Sequence, residues 1–195
     1  MSDVFYLAQQ RQNRARQVLE QSGILAAWES IHAQVNLVGS LKTGLLINHR
    51  DIDMHVYTPN LTAAESFRAM AQFAENPAVE KIDYVNLINT DEHCIEWHAW
   101  YRDELNELWK MDMIHILKGS TYDGYFERVA DRILANLTEE TKRAILELKL
   151  ATPESEAIGG IVYYQAVLQF GVRTWEQFVQ WRQEHSTDGI IEWMP

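Results

Sequence analysis

Two aspartates separated by one residue, Asp51 and Asp53, lie in an apolar stretch that reads DIDMHVY. The alternation predicts a β-strand, in which the side chains of residues i and i+2 project from the same face. Two carboxylates held this close repel each other and raise each other's pKa unless a cation lies between them. Oxygen ligands of this kind suit Mg²⁺, which completes its coordination shell with water and substrate phosphate. We therefore expect a Mg²⁺ site and a nucleotide substrate.

A glycine–serine pair, Gly39 and Ser40, precedes the aspartates. Glycine lets backbone N–H groups approach a phosphate closely, and serine adds a hydroxyl donor. Lys42 and Lys118 are candidates for neutralising phosphate charge nearby. The run that starts at Gly39 has the glycine spacing of a Walker A loop, but two leucines stand where Lys-Ser/Thr is required, so a P-loop is excluded.

The string LVGS at 37–40, followed by DIDMHV at 51–56, resembles the signature of the DNA polymerase beta-type nucleotidyltransferase superfamily. That signature is an apolar residue, Gly-Gly or Gly-Ser, a short spacer and then Asp-apolar-Asp/Glu-apolar. The resemblance covers roughly residues 30–118 and is to the small antibiotic-adenylylating members. It implies a twisted mixed sheet with helices on one face and an active site along one sheet edge, open to a helical domain.

The resembled family carries a third carboxylate on a later strand that neighbours the strand of the aspartate pair. Asp112, in LWKMDMIHI, has the required apolar setting and is the predicted third metal ligand. Glu96, in CIEWHAWYRD, is an alternative third ligand or a general base. Asp83, in KIDYV, is the other rival, because minimal members of the superfamily carry their third carboxylate on the first strand after the intervening helix.

The resemblance also implies a reaction: transfer of an NMP, AMP by preference, from ATP or another nucleoside triphosphate to a hydroxyl of a small-molecule acceptor. Two Mg²⁺ ions held by Asp51 and Asp53 would bridge the triphosphate and the attacking oxygen, and pyrophosphate would leave. Asp112 would complete the second metal site or accept the proton of the acceptor hydroxyl. Gly39 and Ser40 would bind the β- and γ-phosphate oxygens.

The elements that would hold these residues follow from the spacing of apolar side chains, which has a helical or a strand period along the chain. Two strands with a turn or short helix between them cover 35–57, and Asp51 and Asp53 lie on the second. Helices are predicted over 3–22 and 62–75, the latter opening with a capping box. Further strands are predicted over 79–89, 94–103 and 108–117.

The remainder of the chain is predicted to be helical, with four helices between 122 and 185. The third of them is expected to begin at Pro153, with Thr152 as its N-cap. The predicted class is α+β: a nucleotidyltransferase-like twisted mixed sheet with flanking helices over 1–119, followed by a helical domain over 120–195 that shares an interface with it.

Composition sets outer limits on the partners. The chain has 17 basic and 28 acidic residues and a net charge of −11, which opposes long contact with a phosphate backbone, so the sequence predicts no nucleic-acid partner. A single cysteine, Cys94, and the lack of an apolar secretion signal predict a reduced cytoplasmic protein. No apolar stretch approaches the roughly 20 residues that span a bilayer, so no membrane partner is expected.

Two other functions remain open at this point. A non-catalytic relative would keep the fold and bind a nucleotide or a protein partner, although the presence of every candidate third carboxylate favours catalysis. The second alternative function is a hydrolase that acts on phosphate esters. His49 and His55 fall on the face of the aspartate pair and could join a transition-metal site. Hydrogen bonding of these rings to neighbouring backbone or carboxylate is the simpler interpretation.

Overall fold

The computed structural model describes residues 3–185 and 189–195 and confirms the predicted mixed sheet with flanking helices. The strands are β1 (Gln34–Leu37), β2 (Asp51–Tyr57), β3 (Val79–Leu87), β4 (Cys94–Arg102) and β5 (Leu108–Ile116). The helices are α1 (Val4–Gln21), α2 (Ile24–Glu29), α3 (Gly39–Thr43), α4 (Ala63–Ala74), α5 (Tyr125–Asn136), α6 (Glu139–Ala151), α7 (Gly160–Leu168) and α8 (Trp175–Glu184). Within the described residues, none of the helices is long and apolar enough to cross a membrane.

The strands form one sheet in the order β1-β2-β5-β4-β3. Strands β2 and β5 run parallel, whereas the other neighbouring pairs are antiparallel. Parallel neighbours need a long crossover connection, which here consists of α4, β3 and β4. The register places Asp112 of β5 directly opposite Asp53 of β2 on one side and opposite His98 of β4 on the other. The predicted third carboxylate is therefore adjacent to the aspartate pair, on the central strand of the sheet.

The two faces of the sheet have different surroundings. On one face the inward residues of β2 and β5, among them Ile52, Met54, Met111 and Met113, are fully buried. They form the larger hydrophobic core with α1, α2 and α4. Each such buried side chain stabilises the fold by roughly 1.5–3 kcal/mol, so this face anchors the sheet. The aspartates, which alternate with these residues, project from the opposite face.

A second hydrophobic core joins helices α5 to α8. Helix α1 contributes to both cores, because Val4 and Ala8 lie in the second whereas Ala15 and Val18 lie in the first. The helical part of the chain is thus attached to the sheet through the N-terminal helix as well as through the chain connection. The division into domains near residue 119 stays a prediction.

Two helices differ from the sequence prediction. Helix α7 begins at Gly160 rather than at Pro153, because Thr152 ends α6 instead of starting a new helix. Both the N–H and the hydroxyl of Thr152 donate to the carbonyl of Leu148, so its side chain is not free to cap a following helix. Helix α2 was not predicted; it starts directly after Gly23, whose φ of 86° allows the sharp turn out of α1.

Candidate active site

A cavity of about 370 Å³ lies between the aspartate face of the sheet and the C-terminal helices. The strands and α3 supply its polar side chains, which are Ser40, Thr43, Asp53, His55, His98 and Asp112. Helices α5 and α7 supply mainly apolar groups, among them Phe126, Val129, Ile133 and Ile161. The cavity therefore has an anionic wall and an apolar wall, as a site for a metal-bound nucleotide requires.

The glycine–serine turn is laid directly against the aspartate strand. The N–H of Val38 donates to the carbonyl of Asp53 over 3.0 Å, and Gly39 follows with a φ of 62°. A Cβ at Gly39 would lie 2.1 Å from Asp53 Oδ2, which is much shorter than a non-bonded contact between carbon and oxygen allows. Glycine is therefore required here both for the left-handed backbone and for the close approach to the carboxylate.

The carboxylates of Asp51, Asp53 and Asp112 are close enough to perturb one another. Burial, together with the charges of Asp112 and Asp51, raises the pKa of Asp53 to about 7. Burial also raises the pKa of Asp51, to which the charge of Asp112 adds. An anionic group that is buried beside two others is stabilised by a cation, so this trio fits a divalent metal ion. Asp51 borders the group without lining the cavity.

Both oxygens of Asp112 have protein partners. His98 Nδ1 lies 2.5 Å from Asp112 Oδ1, and Lys110 Nζ lies 3.0 Å from Asp112 Oδ2. The other ring nitrogen of His98, Nε2, lies 3.6 Å from a carboxylate oxygen of Glu96. Glu96 is thus connected to Asp112 through His98 and is not adjacent to the aspartate pair.

The most compact set of potential metal ligands lies elsewhere. Among the residues that the structure describes, the donor atoms of Glu92, Cys94 and Glu96 all lie within 4.8 Å of one another, whereas the three aspartates form a looser group. This set borders a neighbouring cavity of about 170 Å³. Burial and the charges of the two glutamates raise the pKa of the Cys94 thiol to about 12, which disfavours the thiolate.

Lys149 of α6 is a functional candidate that the sequence analysis missed. It is 3% exposed, and its Nζ donates to Ser40 Oγ over 2.7 Å, to the Leu45 carbonyl over 3.0 Å and to Tyr164 Oη over 3.3 Å. These three hydrogen-bond partners are uncharged. Buried lysines are rare without an anionic partner, which makes this position suited to a bound anion.

The other candidates for phosphate or metal binding lie away from the cavity. Lys42 pairs with Asp131 of α5 at 3.3 Å, and Lys118 borders a separate shallow groove near β1. Asp83 lies on the edge strand β3, where its carboxylate is 2.5 Å from Lys81 Nζ. Two strands, β5 and β4, separate Asp83 from β2.

His55 lines the cavity with one ring nitrogen already engaged. Its Nδ1 lies 3.0 Å from Glu127 Oε2, and the other carboxylate oxygen, Oε1, accepts a hydrogen bond from Tyr57 Oη. Burial alone would raise the pKa of Glu127, but the hydrogen bonds from His55 and Tyr57 lower it to about 2. This pairing agrees with the interpretation that the His55 ring is hydrogen-bonded to a neighbouring carboxylate and is not a metal ligand. The same contacts connect α5 to β2. His49 lies in the loop before β2.

No family model and no curated protein matches this sequence. Solved structures do match. The poly(A) polymerase complex GLD-2–GLD-3 is 10% identical over 87% of this chain and 59% of its own, with a TM-score of 0.58. Cid1, described with RNA terminal uridylyl transferase activity, is 14% identical over 84% and 48%, with a TM-score of 0.55. A Cid1 poly(U) polymerase structure with MgGTP bound is 11% identical over 87% and 51%, with a TM-score of 0.54.

These similarities define the class of fold, which is that of the nucleotidyltransferases. The mixed sheet with flanking helices that the sequence resemblance implies is confirmed, because the matched polymerases share this fold. The chain spans about half to three-fifths of the length of these structures. The closer resemblance to the antibiotic-adenylylating members stays a prediction.

The prediction that nucleic acid is not a partner is wrong. The matched structures of this fold are named for poly(A) and poly(U) synthesis and for RNA uridylyl transfer. A net charge of −11 is an average over the whole surface, and it does not describe the local field of a cleft that metal ions and lysines can make positive.

Proposed function

We propose that this chain is a metal-dependent nucleotidyltransferase that moves an NMP from a nucleoside triphosphate to a hydroxyl group. One observation carries the proposal: Asp53, Asp112 and the glycine–serine turn line a single cavity. Asp51 borders the two carboxylates, and the buried ammonium of Lys149 donates to Ser40 in the turn. The carboxylates attract a metal ion and the turn attracts phosphate, and a metal–triphosphate has both components.

The donor set fits Mg²⁺, because it consists of carboxylate oxygens and includes Asp53, whose pKa is raised by burial and by the charges of Asp112 and Asp51. Asp51, Asp53 and Asp112 would hold the metal, with two ions expected from the resemblance. When bound, the metal would neutralise charge on the triphosphate and activate the attacking oxygen. The remaining steps depend on the side chains of this chain.

Lys149, Ser40 and Gly39 would bind the outer phosphates. The ammonium of Lys149 and the hydroxyl of Ser40 are 2.7 Å apart, so one phosphate oxygen could accept hydrogen bonds from both. Tyr164 Oη lies 2.9 Å from Ser40 Oγ and keeps the hydroxyl in place. Lys149 therefore takes the role that the sequence analysis assigned to Lys42 or Lys118.

The reaction would proceed by in-line displacement at the α-phosphorus. The acceptor oxygen forms the new P–O bond, the bond between the α-phosphorus and the bridging oxygen breaks, and pyrophosphate leaves with the electron pair. The carboxylate of Asp112 would take the acceptor proton, as His98 orients it through Oδ1. Phe126, Val129 and Ile133 of α5 offer an apolar wall for the nucleobase.

The acceptor predicted from the sequence is a small molecule, and that stays a prediction. The 3′-terminal ribose of RNA presents the same chemical group, a hydroxyl. The matched structures are named for a poly(A) polymerase and for RNA terminal uridylyl transfer. Both acceptor classes therefore belong in the test. ATP by preference, or another triphosphate, would be the donor.

The test is incubation of the protein with each α-³²P-labelled nucleoside triphosphate and Mg²⁺, together with RNA oligonucleotides in one series and metabolite pools in another. We expect pyrophosphate release with transfer of label to an acceptor, and loss of both in Asp53→Asn. Asp83→Asn, an exposed aspartate outside the cavity, is the matched control and should retain activity. Binding of nucleotide without release in either series would instead identify a non-catalytic nucleotide-binding protein.

A further inference from the structure

Lys110 is placed among the candidate metal ligands although it is a cation. It lies on β5 two residues before Asp112, so both side chains project from the same face of the sheet. In the strand register Lys110 is directly opposite Asp51. Its Nζ lies 3.0 Å from Asp112 Oδ2, and its charge lowers the pKa of both Asp51 and Asp53. One ammonium therefore acts on all three carboxylates.

The ion pair between Lys110 and Asp112 occupies Asp112 Oδ2, the oxygen that a metal ion would need. His98 already holds Asp112 Oδ1, so Oδ2 is the oxygen that Lys110 shares with any incoming cation. The Lys110 side chain is 36% exposed and flexible, which leaves it room to move off the carboxylate. Lys149, by contrast, is held by three oxygen partners and is buried.

We propose that Lys110 is a tethered counter-cation of this site: it pairs with Asp112 Oδ2 in the metal-free chain, and a divalent ion must displace it to use that oxygen. The inference rests on the proposed function, since it assumes that Asp112 is a metal ligand. Competition for one ligand lowers the apparent metal affinity by the fraction of chains in which the ligand is free. Free metal therefore binds weakly, and the lysine limits repulsion among the three aspartates until metal arrives.

The experiment is a titration of the protein with Mn²⁺, without nucleotide, followed by electron paramagnetic resonance of the unbound ion. Lys110→Met keeps the length of the side chain and removes the ammonium, and we expect it to bind Mn²⁺ roughly tenfold more tightly than the wild type. Lys81→Met is the matched control: this lysine pairs with Asp83 on the edge strand, and its loss should leave the affinity unchanged.

A double-mutant cycle separates competition from a general effect of charge. In an Asp112→Asn background the contested carboxylate is gone, so Lys110→Met should no longer raise the affinity. An equal gain in both backgrounds would overturn the inference, because it would show that Lys110 acts only through its field. Lys110→Gln provides a second variant if Lys110→Met unfolds, and thermal melting identifies such a failure.

The outcome also distinguishes this inference from the proposed function. If the wild type binds Mn²⁺ and transfers nucleotides while Lys110→Met binds Mn²⁺ with the same affinity, the role of Lys110 is overturned and the function stands. If none of the variants binds Mn²⁺, with or without nucleotide, both are overturned together.

Discussion

Asp53 Oδ2 occupies the space in which a side chain at Gly39 would begin, because a Cβ there would lie 2.1 Å from that oxygen. The glycine–serine turn and the aspartate strand are thus in contact through a glycine and a carboxylate. Any displacement of one must displace the other. This contact gives a direct test of whether the turn and the aspartate belong to one site.

Gly39→Ala should reduce nucleotide transfer by about 100-fold, because the new methyl group forces the turn or Asp53 out of position by about an ångström. It should also lower the melting temperature, since Gly39 has a positive φ that alanine adopts at a cost of about 1 kcal/mol. Initial rates of pyrophosphate release and thermal melting are the measurements.

Gly159→Ala is the matched control for the glycine substitution. Gly159 precedes α7 with a φ of −60°, and no atom lies within 4 Å of the position that its Cβ would take. This variant should keep both activity and stability. Wild-type activity in Gly39→Ala would show that the turn is not part of the site.

The pKa of Asp53 predicts how stability responds to pH and metal. Its folded-state pKa of about 7 exceeds the unfolded value of about 3.9, so the folded chain holds the extra proton and Asp53 destabilises the fold as pH rises between these values. A divalent ion binds the carboxylate form and opposes this loss. Thermal melting should therefore show a larger stabilisation by Mg²⁺ at about pH 8 than at about pH 6.

Asp53→Asn is the control for that pH dependence. The amide does not titrate, so the metal-free variant should lose less stability than the wild type between about pH 5 and pH 8. Equal stabilisation of the wild type by Mg²⁺ at both pH values would contradict a metal role for Asp53.

The sequence was most informative where one short segment contains both partners of an interaction. The spacing of Asp51 and Asp53 predicted a shared face, and the Gly39-Ser40 pair predicted a turn beside it. In the structure Asp53, Gly39 and Ser40 line one cavity, and Asp51 lies next to it. The family resemblance, together with the apolar strand setting of Asp112, predicted that Asp112 lies on a strand next to β2, and the register places it opposite Asp53. The shared face follows from the two-residue period of a strand, and the third carboxylate follows from the family resemblance.

The sequence could not reveal relationships that depend on helix packing and side-chain direction. Lys149 lies over a hundred residues after Ser40, and only its position four residues after the buried Ile145 indicated a lysine on the core-facing side of α6. The choice of Lys42 instead relied on proximity in sequence, whereas α3 directs that side chain toward Asp131. The ion pair between Lys110 and Asp112 likewise depends on side-chain direction, which the sequence does not give.

Lys149→Met should weaken triphosphate binding by roughly 10- to 100-fold, as expected when a charged hydrogen bond to phosphate is lost. Because the ammonium is buried with only uncharged hydrogen-bond partners, its removal should leave the melting temperature of the nucleotide-free protein unchanged or raise it. Isothermal titration calorimetry with a non-hydrolysable ATP analogue and Mg²⁺ measures the affinity.

Lys142→Met on the same helix is the control for Lys149, because Lys142 lies outside the cavity near Phe5. It should bind the analogue with wild-type affinity. A Lys149→Met variant that binds equally well would exclude this lysine as a phosphate ligand and return Lys42 and Lys118 to consideration.

Asp103 provides a prediction about the scaffold, because it closes the hairpin between β4 and β5 that sets His98 against Asp112. Its buried carboxylate accepts hydrogen bonds from the N–H groups of Leu105 and Glu107, from Trp109 Nε1 and from Arg14. Asp103→Ala leaves these donors unpaired and should lower the free energy of unfolding by about 3 kcal/mol.

The same carboxylate should contribute to acid sensitivity. Burial alone would raise the pKa of Asp103, but its hydrogen bonds and the charge of Arg14 lower it overall. Its folded-state pKa is therefore below the unfolded value, so its contribution is complete above about pH 4 and is lost as pH falls through the folded-state pKa. Urea unfolding at about pH 7 and at about pH 3 should show a smaller difference between the wild type and Asp103→Ala at the lower pH. An equal difference at both would show that the carboxylate's charge has no part in holding the hairpin.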